Sequence, residues 1–266
     1  IDRIVRDRIS KKAKVGIVAV DAATGETLYA RNADEGFNPA SNMKLLTSAS
    51  ALDAFGPSHT FETKLLAANP DEGVVDGPLY VKGEGEAFLL FEDFLSWAAQ
   101  LKLEGIDRIE GGIVVDDTIF KEAYLPPGFG QKDEDASYRS PIGAVSVNFN
   151  AVTVNVTPGE KPGVKPNVRL FPPNDHVTVD NDARTVRSSG QSISLSSEPD
   201  GNGGTVIGVD GAIGDSFGEV GDRLRIDNPP AFAGSVLSKA LAMVGVEVDG
   251  EIRTGSTPDS ADVVVS

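Results

Sequence analysis

Val15-Gly-Ile-Val-Ala-Val20 is an almost uninterrupted apolar run. Asp21-Ala-Ala-Thr-Gly25 is made of turn formers, and Glu26 to Arg31 is strand-like again. The pattern predicts two strands joined as a hairpin. A loop carrying Gly36 and Pro39 follows, and a helix is expected from about Ser41 to Phe55, stopped by Gly56-Pro57. On that helix Leu45, Ala49 and Leu52 share one face, while Met43, Leu46 and Ser50 flank it. A helix that is apolar nearly all round is expected at the centre of a domain.

The pattern changes after Thr60. Strand-like runs cover Phe61–Ala67 and Gly77–Lys82, and a helix is expected over Phe88–Leu103, which holds the only tryptophan, Trp97. Gly105 to Asp117 reads as a tight loop running into a strand. From Ala144 to Val156 polar and apolar residues alternate, but the phase reverses. Val145, Val147 and Phe149 are odd-numbered, whereas Val152, Val154 and Val156 are even. A bulge or bend near Asn150 accounts for that reversal. Pro158 to Asp222 is rich in Gly, Pro, Asn, Ser and β-branched residues and predicts a strand-rich module with many turns. At Asn228 the chain returns to helix. Pro229-Pro230 open it, Phe232, Val236, Ala240 and Met243 are expected to face inward, and Gly245 ends it. A strand starts at Val246, and Val263-Val-Val-Ser266 is strand-like with no closing element. The expected organisation is therefore 1–62, 63–227 and 228–266, with more polypeptide beyond Ser266 or in another chain. The start at Ile1 without Met suggests a mature, processed product.

Composition narrows the function. The 266 residues carry a formal net charge of −16, which disfavours a nucleic-acid partner. There is no cysteine, which excludes disulfides and thiolate metal sites, and only two histidines. A histidine-based triad or a His-rich zinc site is accordingly not expected. His59, in Gly56-Pro-Ser-His-Thr60, reads as a surface turn residue. No apolar run is long enough to span a bilayer.

The chemistry then falls on Ser41-Asn-Met-Lys44. A hydroxyl and an amine three residues apart on a helix share one face. Lysine is one of the few groups that can activate a serine without histidine. Between Phe37 and Leu52 the only charged side chain is Lys44. A lysine in such a setting is expected to be desolvated, which lowers an amine's pKa and suits it to act as a base. A serine at a helix N-terminus also sits where N–H groups and the dipole favour developing negative charge. Against this stands a capping serine with a lysine snorkelling to solvent. Other strings carry less. Gly83-Glu-Gly-Glu-Ala87 lacks the third glycine and the positive charge of a phosphate loop, and Asp180-Asn-Asp182 and Asp200-Gly-Asn-Gly-Gly204 read as hairpin turns rather than calcium loops. Asp116-Asp117 closes an apolar strand and reads either as a ligand site or as a cap for Thr118–Phe120.

Taken together, the hairpin, Asn38-Pro-Ala-Ser-Asn-Met-Lys-Leu-Leu-Thr47 and the Phe61-Glu-Thr63 strand resemble the penicillin-recognising serine enzymes. Gly112–Phe120, Ala144–Asn150 with Val152–Pro158, and Asn228–Gly234 narrow the resemblance to the class C low-molecular-mass penicillin-binding proteins. These are D-alanyl-D-alanine carboxypeptidases and endopeptidases. The resemblance implies an α+β fold: an incomplete transpeptidase-like catalytic domain with inserted strand-rich domains. It implies a Ser41 nucleophile, Lys44 as its base, no cofactor or metal, and a periplasmic or extracellular place in the cell envelope. Implied partners are peptidoglycan peptides, β-lactams and a C-terminal half of the same protein. It also implies that Asp116 helps to bind the amino end of the substrate's diamino-acid side chain. Two further motifs are expected, Ser-x-Asn and Lys-Thr-Gly. Ser146-Val-Asn148 fits the first as a string, but it lies in an alternating strand of the inserted region and is rejected. Arg253-Thr-Gly255 is treated as coincidence. A non-catalytic wall-binding or scaffold protein of the same fold is the alternative. A β-lactamase is disfavoured by the insertion.

Overall fold

A computed structural model describes residues 1–9, 11–68, 73–120, 124–126 and 135–265. The chain divides into two compact units, Ile1–Thr60 and Phe61–Ser266.

The first unit holds helix α1 (Asp2–Arg8), a hairpin and helix α2 (Met43–Phe55). The hairpin pairs Ile17–Val20 with Thr27–Arg31, as the apolar pattern implied. Asp21 closes its turn by accepting the N–H groups of Ala23 and Thr24, each at 2.9 Å. Helix α1, for which the sequence pattern offered no signal, is tied to the hairpin by Asp2. Its carboxylate accepts from the Tyr29 hydroxyl and from Arg31 at 2.9 Å. Helix α2 departs from expectation. It buries none of its residues, and Leu45 is 71 % exposed. Its position is therefore not central here, and Lys44 is exposed rather than desolvated. An all-round apolar surface specifies that a helix should be covered; it does not specify by which polypeptide.

The second unit is built on a five-stranded sheet. Its order is Ile252–Thr254, Ile113–Asp116, Leu79–Gly83, Thr63–Ala67, Asp262–Val265. The first three strands run parallel; Thr63–Ala67 is antiparallel to both of its neighbours. Helices α3 (Phe91–Leu103) and α4 (Pro229–Met243) pack on each other, and α4 also packs against Ile113–Asp116 and Ile252–Thr254. The sequence division returned 228–266 to the first unit. Instead α4 and the strands that follow it complete the packing of the second. The reason is non-local: Ile252–Thr254 and Asp262–Val265 find partners at opposite edges of one sheet, about 140 and 200 residues back along the chain.

Helix α3 starts at Phe91, three residues later than expected because Phe88 belongs to the strand Glu86–Leu89, and two acceptors meet its free N–H groups. Asp93 Oδ2 accepts Leu90 N at 2.8 Å, and Asn148 Oδ1 accepts Phe91 N at 2.9 Å from 57 residues away. The phase reversal in 144–156 is real and sharp. Strands Val145–Val147 and Ala151–Thr157 are separated by Asn148, Phe149 and Asn150, all with positive φ (48°, 60° and 51°). Asparagine tolerates that region better than most residues, and Asn-Phe-Asn is the local signal for it. Asn228 precedes α4 as predicted, in a left-handed conformation, but its side chain donates to Gly203 O rather than capping the helix. Phe232, Val236 and Ala240 are buried, whereas Met243, in the last turn, is exposed.

The strand-rich module expected from 158–222 is present. Ala151–Thr157 sits between Asn167–Phe171 and Val220–Arg225, both antiparallel to it. Thr205–Asp210 pairs antiparallel with Ser194–Pro199 and parallel with Val177–Asn181. The module is stapled to α4 through buried Ser235, whose hydroxyl accepts the N–H groups of Asp175 (2.7 Å) and His176 (3.2 Å).

Candidate active site

Ser41 lies in a 3₁₀ turn, Ala40–Asn42, that leads into α2. Lys44 Nζ donates to Ser41 Oγ at 3.3 Å. The contact follows from local geometry, since residues i and i+3 stack on one helical face. The turn carries a backbone outlier immediately before the serine. Ala40 has φ 45°, a conformation that an alanine adopts at a cost of about 1–3 kcal/mol. Asn38 braces it: its side-chain oxygen accepts Ala40 N at 2.9 Å, and Asn42 N donates to Pro39 O at 2.9 Å. Sequence reading did not single out Asn38 or Ala40. A side-chain acceptor two residues before a strained position is visible only once φ is known. The arrangement supplies a hydroxyl with an amine in hydrogen-bond reach on a turn held in one geometry, which is what proton removal from an attacking alcohol requires.

The other singled-out residues have structural duties. Asp116 ends the central strand and is 4 % exposed. Its Oδ1 accepts Thr118 N (3.2 Å) and Thr118 Oγ1 (2.6 Å), and its Oδ2 accepts Thr257 N (2.8 Å). The carboxylate suggested as a ligand for an amino group is thus already engaged by three donors of its own chain. Burial pushes the Asp116 carboxyl up, but the hydrogen bonds from Thr118 and Thr257 outweigh it and hold the group below the ordinary carboxylate range. On Asp117 burial prevails. Despite donors from Ala144 N–H and the Tyr124 hydroxyl, the carboxyl is pushed up, and the neighbouring Asp116 adds to the rise. Two adjacent aspartates are driven in opposite directions by unequal numbers of donors.

Ser146 and Asn148 are both buried. Ser146 Oγ donates to Gly143 O at 3.0 Å and accepts from Asn150 Nδ2 at 2.8 Å, while Asn148 serves α3. Ser146-Val-Asn148 is a packing element, in keeping with its rejection as a catalytic motif. Arg253 and Thr254 lie on an edge strand of the five-stranded sheet, and Gly255 follows its end. The glycines of Gly83-Glu-Gly85 answer to close packing: a Cβ on Gly83 would stand 2.2 Å from Ala144 O, and Gly85 has φ 93°. Asp200 accepts Asn202 N and Gly204 N within a hairpin turn. His59 stacks on Phe55 with ring centroids 4.9 Å apart.

With this geometry described, comparison with known proteins decides the family. The model of the D-Ala-D-Ala carboxypeptidase 3 (S13) family matches residues 1–266. The chain belongs to that family. It is 32 % identical over 265 residues to a D-alanyl-D-alanine carboxypeptidase of Actinomadura sp. (strain R39), covering 97 % of this chain and 49 % of that protein. It is 23 % identical to the D-alanyl-D-alanine carboxypeptidase DacB of Haemophilus influenzae, covering 97 % and 53 %. In three dimensions it resembles the crystal structure of penicillin-binding protein 4 (dacB) from H. influenzae. The TM-score is 0.80 at 21 % identity, over 99 % of this chain and 58 % of that one. A β-lactam complex of the same protein gives a TM-score of 0.70. The mixed α/β fold of this S13 member is therefore that of penicillin-binding protein 4, as the resemblance implied. The chain spans about half the length of the curated relatives it matches.

Proposed function

We propose that this S13 chain carries the nucleophile and its base for a serine-type D-alanyl-D-alanine carboxypeptidase or endopeptidase acting on peptidoglycan stem peptides. The observation that carries the reading is the 3.3 Å contact from Lys44 Nζ to Ser41 Oγ, in a chain that belongs to this family. Lys44 takes the Ser41 proton as Oγ attacks the carbonyl carbon of the scissile amide. The amide C–N bond then breaks, the leaving amine takes the proton back from Lys44, and an ester on Ser41 remains. Water hydrolyses the ester, restoring the hydroxyl. β-Lactams, whose strained amide opens at the same step, acylate Ser41. Asp116 enters this reading as an anchor of the 116–118 turn.

The exposed apolar surface of α2 supports a second part of the proposal. Residues that lie beyond this chain, in the same polypeptide or in a separate one, cover α2, desolvate Lys44 and complete the oxyanion hole and the Ser-x-Asn and Lys-Thr-Gly walls. The reading places the protein in the cell envelope, periplasmic or extracellular. Fluorescent penicillin tests it on the complete protein. Covalent label is expected on the Ser41 peptide and is lost in Ser41→Ala. Lys44→Ala slows labelling by roughly 10²–10⁴, the usual contribution of a positioned base. Label that persists in Ser41→Ala removes the assignment.

A further inference from the structure

We infer that the second unit carries a binding site for an uncharged aromatic group with a single hydrogen-bond donor, of the phenol or indole type. The site is a cavity of about 410 Å³. Its walls come from the strand Glu86–Leu89, the 3₁₀ turn Ser137–Arg139 and residues 146–150. It involves neither Ser41, Lys44 nor Asp116, and it does not rest on the catalytic reading.

Phe149 forms one wall, and the chain holds it there at a cost. It has φ 60°, between Asn148 and Asn150, which also have positive φ. Asparagine tolerates that region, whereas a bulky phenylalanine occupies it only under strain. The change of phase in the strand needs a bend, and glycine or a third asparagine would supply one more easily. What phenylalanine adds is its ring, 41 % exposed at the cavity. The ring is fixed in place. Phe88 meets it edge to face with centroids 5.5 Å apart, and the Arg223 guanidinium lies 4.7 Å from its centroid. Tyr138 and Ile142, both exposed, extend the apolar lining. Exposed apolar groups gathered around one cavity mark a recognition surface more often than scattered ones do.

The polar anchor is Asn150, which lines the cavity and is 2 % exposed. Its Nδ2 donates to Pro141 O and to Ser146 Oγ, both at 2.8 Å. A carbonyl can only accept, so Pro141 O fixes which end of the amide is which. Oδ1 is left with no hydrogen-bond partner among the described residues. A buried acceptor without a donor is costly unless water or a ligand supplies one. None of the described residues lining the cavity is charged. A charged ligand would therefore lose its water and gain no counter-charge. A polyol would bury several hydroxyls against a predominantly apolar lining, and a purely apolar ligand would leave Oδ1 unmet. A phenol O–H or an indole N–H brings one donor on an apolar ring, and such a ring packs edge to face or offset against Phe149.

The full 266-residue chain is titrated by calorimetry with p-cresol, with indole and with Nα-acetyl-tyrosinamide. Toluene and Nα-acetyl-phenylalaninamide are the matched analogues that keep the ring and lack the hydroxyl. The two phenols are expected to bind saturably and about tenfold more tightly than their analogues, the worth of one hydrogen bond to a buried acceptor. That comparison reads the Asn150 acceptor without altering the protein. Tighter binding of the tyrosinamide than of p-cresol assigns a side chain borne on a peptide; the reverse assigns a free small molecule. Phe149→Gly removes the ring and relieves the strained φ, so it should weaken binding about tenfold without lowering the unfolding temperature. The inference is overturned if the analogues bind as tightly as the phenols, if p-cresol, indole and the tyrosinamide all fail to bind saturably, or if Phe149→Gly binds with unchanged affinity.

Discussion

Asp116→Asn separates an anchor from a ligand contact. In the folded chain Asp116 Oδ1 receives two donors from Thr118 and Oδ2 receives Thr257 N–H at 2.8 Å. Asparagine is nearly the same size but has only one carbonyl oxygen. If that oxygen keeps Thr118, the amide nitrogen faces the Thr257 N–H, donor against donor. A lost charge-assisted hydrogen bond in a buried site costs about 1.5–3 kcal/mol. For a unit of this size, where each kcal/mol is worth about 2–4 °C, that corresponds to a fall in unfolding temperature of roughly 3–12 °C. The linkage has a definite sign. The folded carboxyl is held below its unfolded value, so its contribution is present above pH ~4 and is lost as pH falls through the folded value. The gap between wild type and Asp116→Asn should therefore be widest near neutral pH and should close in acid. Urea unfolding followed by Trp97 fluorescence is the assay, because Trp97 lies in the same unit and reports its unfolding separately from residues 1–60. An unchanged or raised urea midpoint for Asp116→Asn at pH 7 refutes the anchoring argument and restores Asp116 as a group free to meet a ligand.

Two further outcomes test the packing. Phe94→Ala, at a fully buried position against Trp97, should cost about 3–5 kcal/mol and shift the tryptophan emission; a cost below 1 kcal/mol would mean that α3 is not seated as described. Burial holds His176 below the usual imidazole range, against the opposing pull of the Asp227 carbonyl and of the charges on Asp200 and Asp227. The folded state thus resists a proton that the unfolded chain accepts, and stability should drop as pH falls below ~6.5. Asp117 and Asp227, pushed up by burial, act with the opposite sign at lower pH, so the readout is the difference between wild type and His176→Gln from pH 7.5 to 5.5. A difference independent of pH across that range would show that the folded module takes up a proton at His176 as readily as the unfolded chain does, and would refute the argument from burial.

The site and the fold were legible to different degrees. Ser41 and Lys44 were readable because their relation is a matter of helical spacing, and the structure adds their contact and the strained Ala40 beside them. Asn148–Asn150 was readable as a break because a change of phase in an alternating strand has few other causes. The cavity lined by Ala87, Tyr138 and Phe149 was not. Its walls lie on three segments that meet only after folding, and an exposed phenylalanine looks in sequence like any other apolar residue.

Local periodicity in the sequence thus determined the hairpin, the helices α2, α3 and α4 to within a few residues, and the strand-rich character of 158–222. Helix and strand patterns repeat over distances shorter than the elements themselves. The tertiary structure alone decided which strands became neighbours, so that 252–254 and 262–265 joined a sheet begun at 63–83. It also decided which charges became buried. Asp116 and Asp117 are alike in sequence, yet one is held ionised by three donors and the other is driven towards its neutral form. Those outcomes depend on partners such as Thr257 and Ala144, brought together by the order of the sheet and not by proximity in the chain.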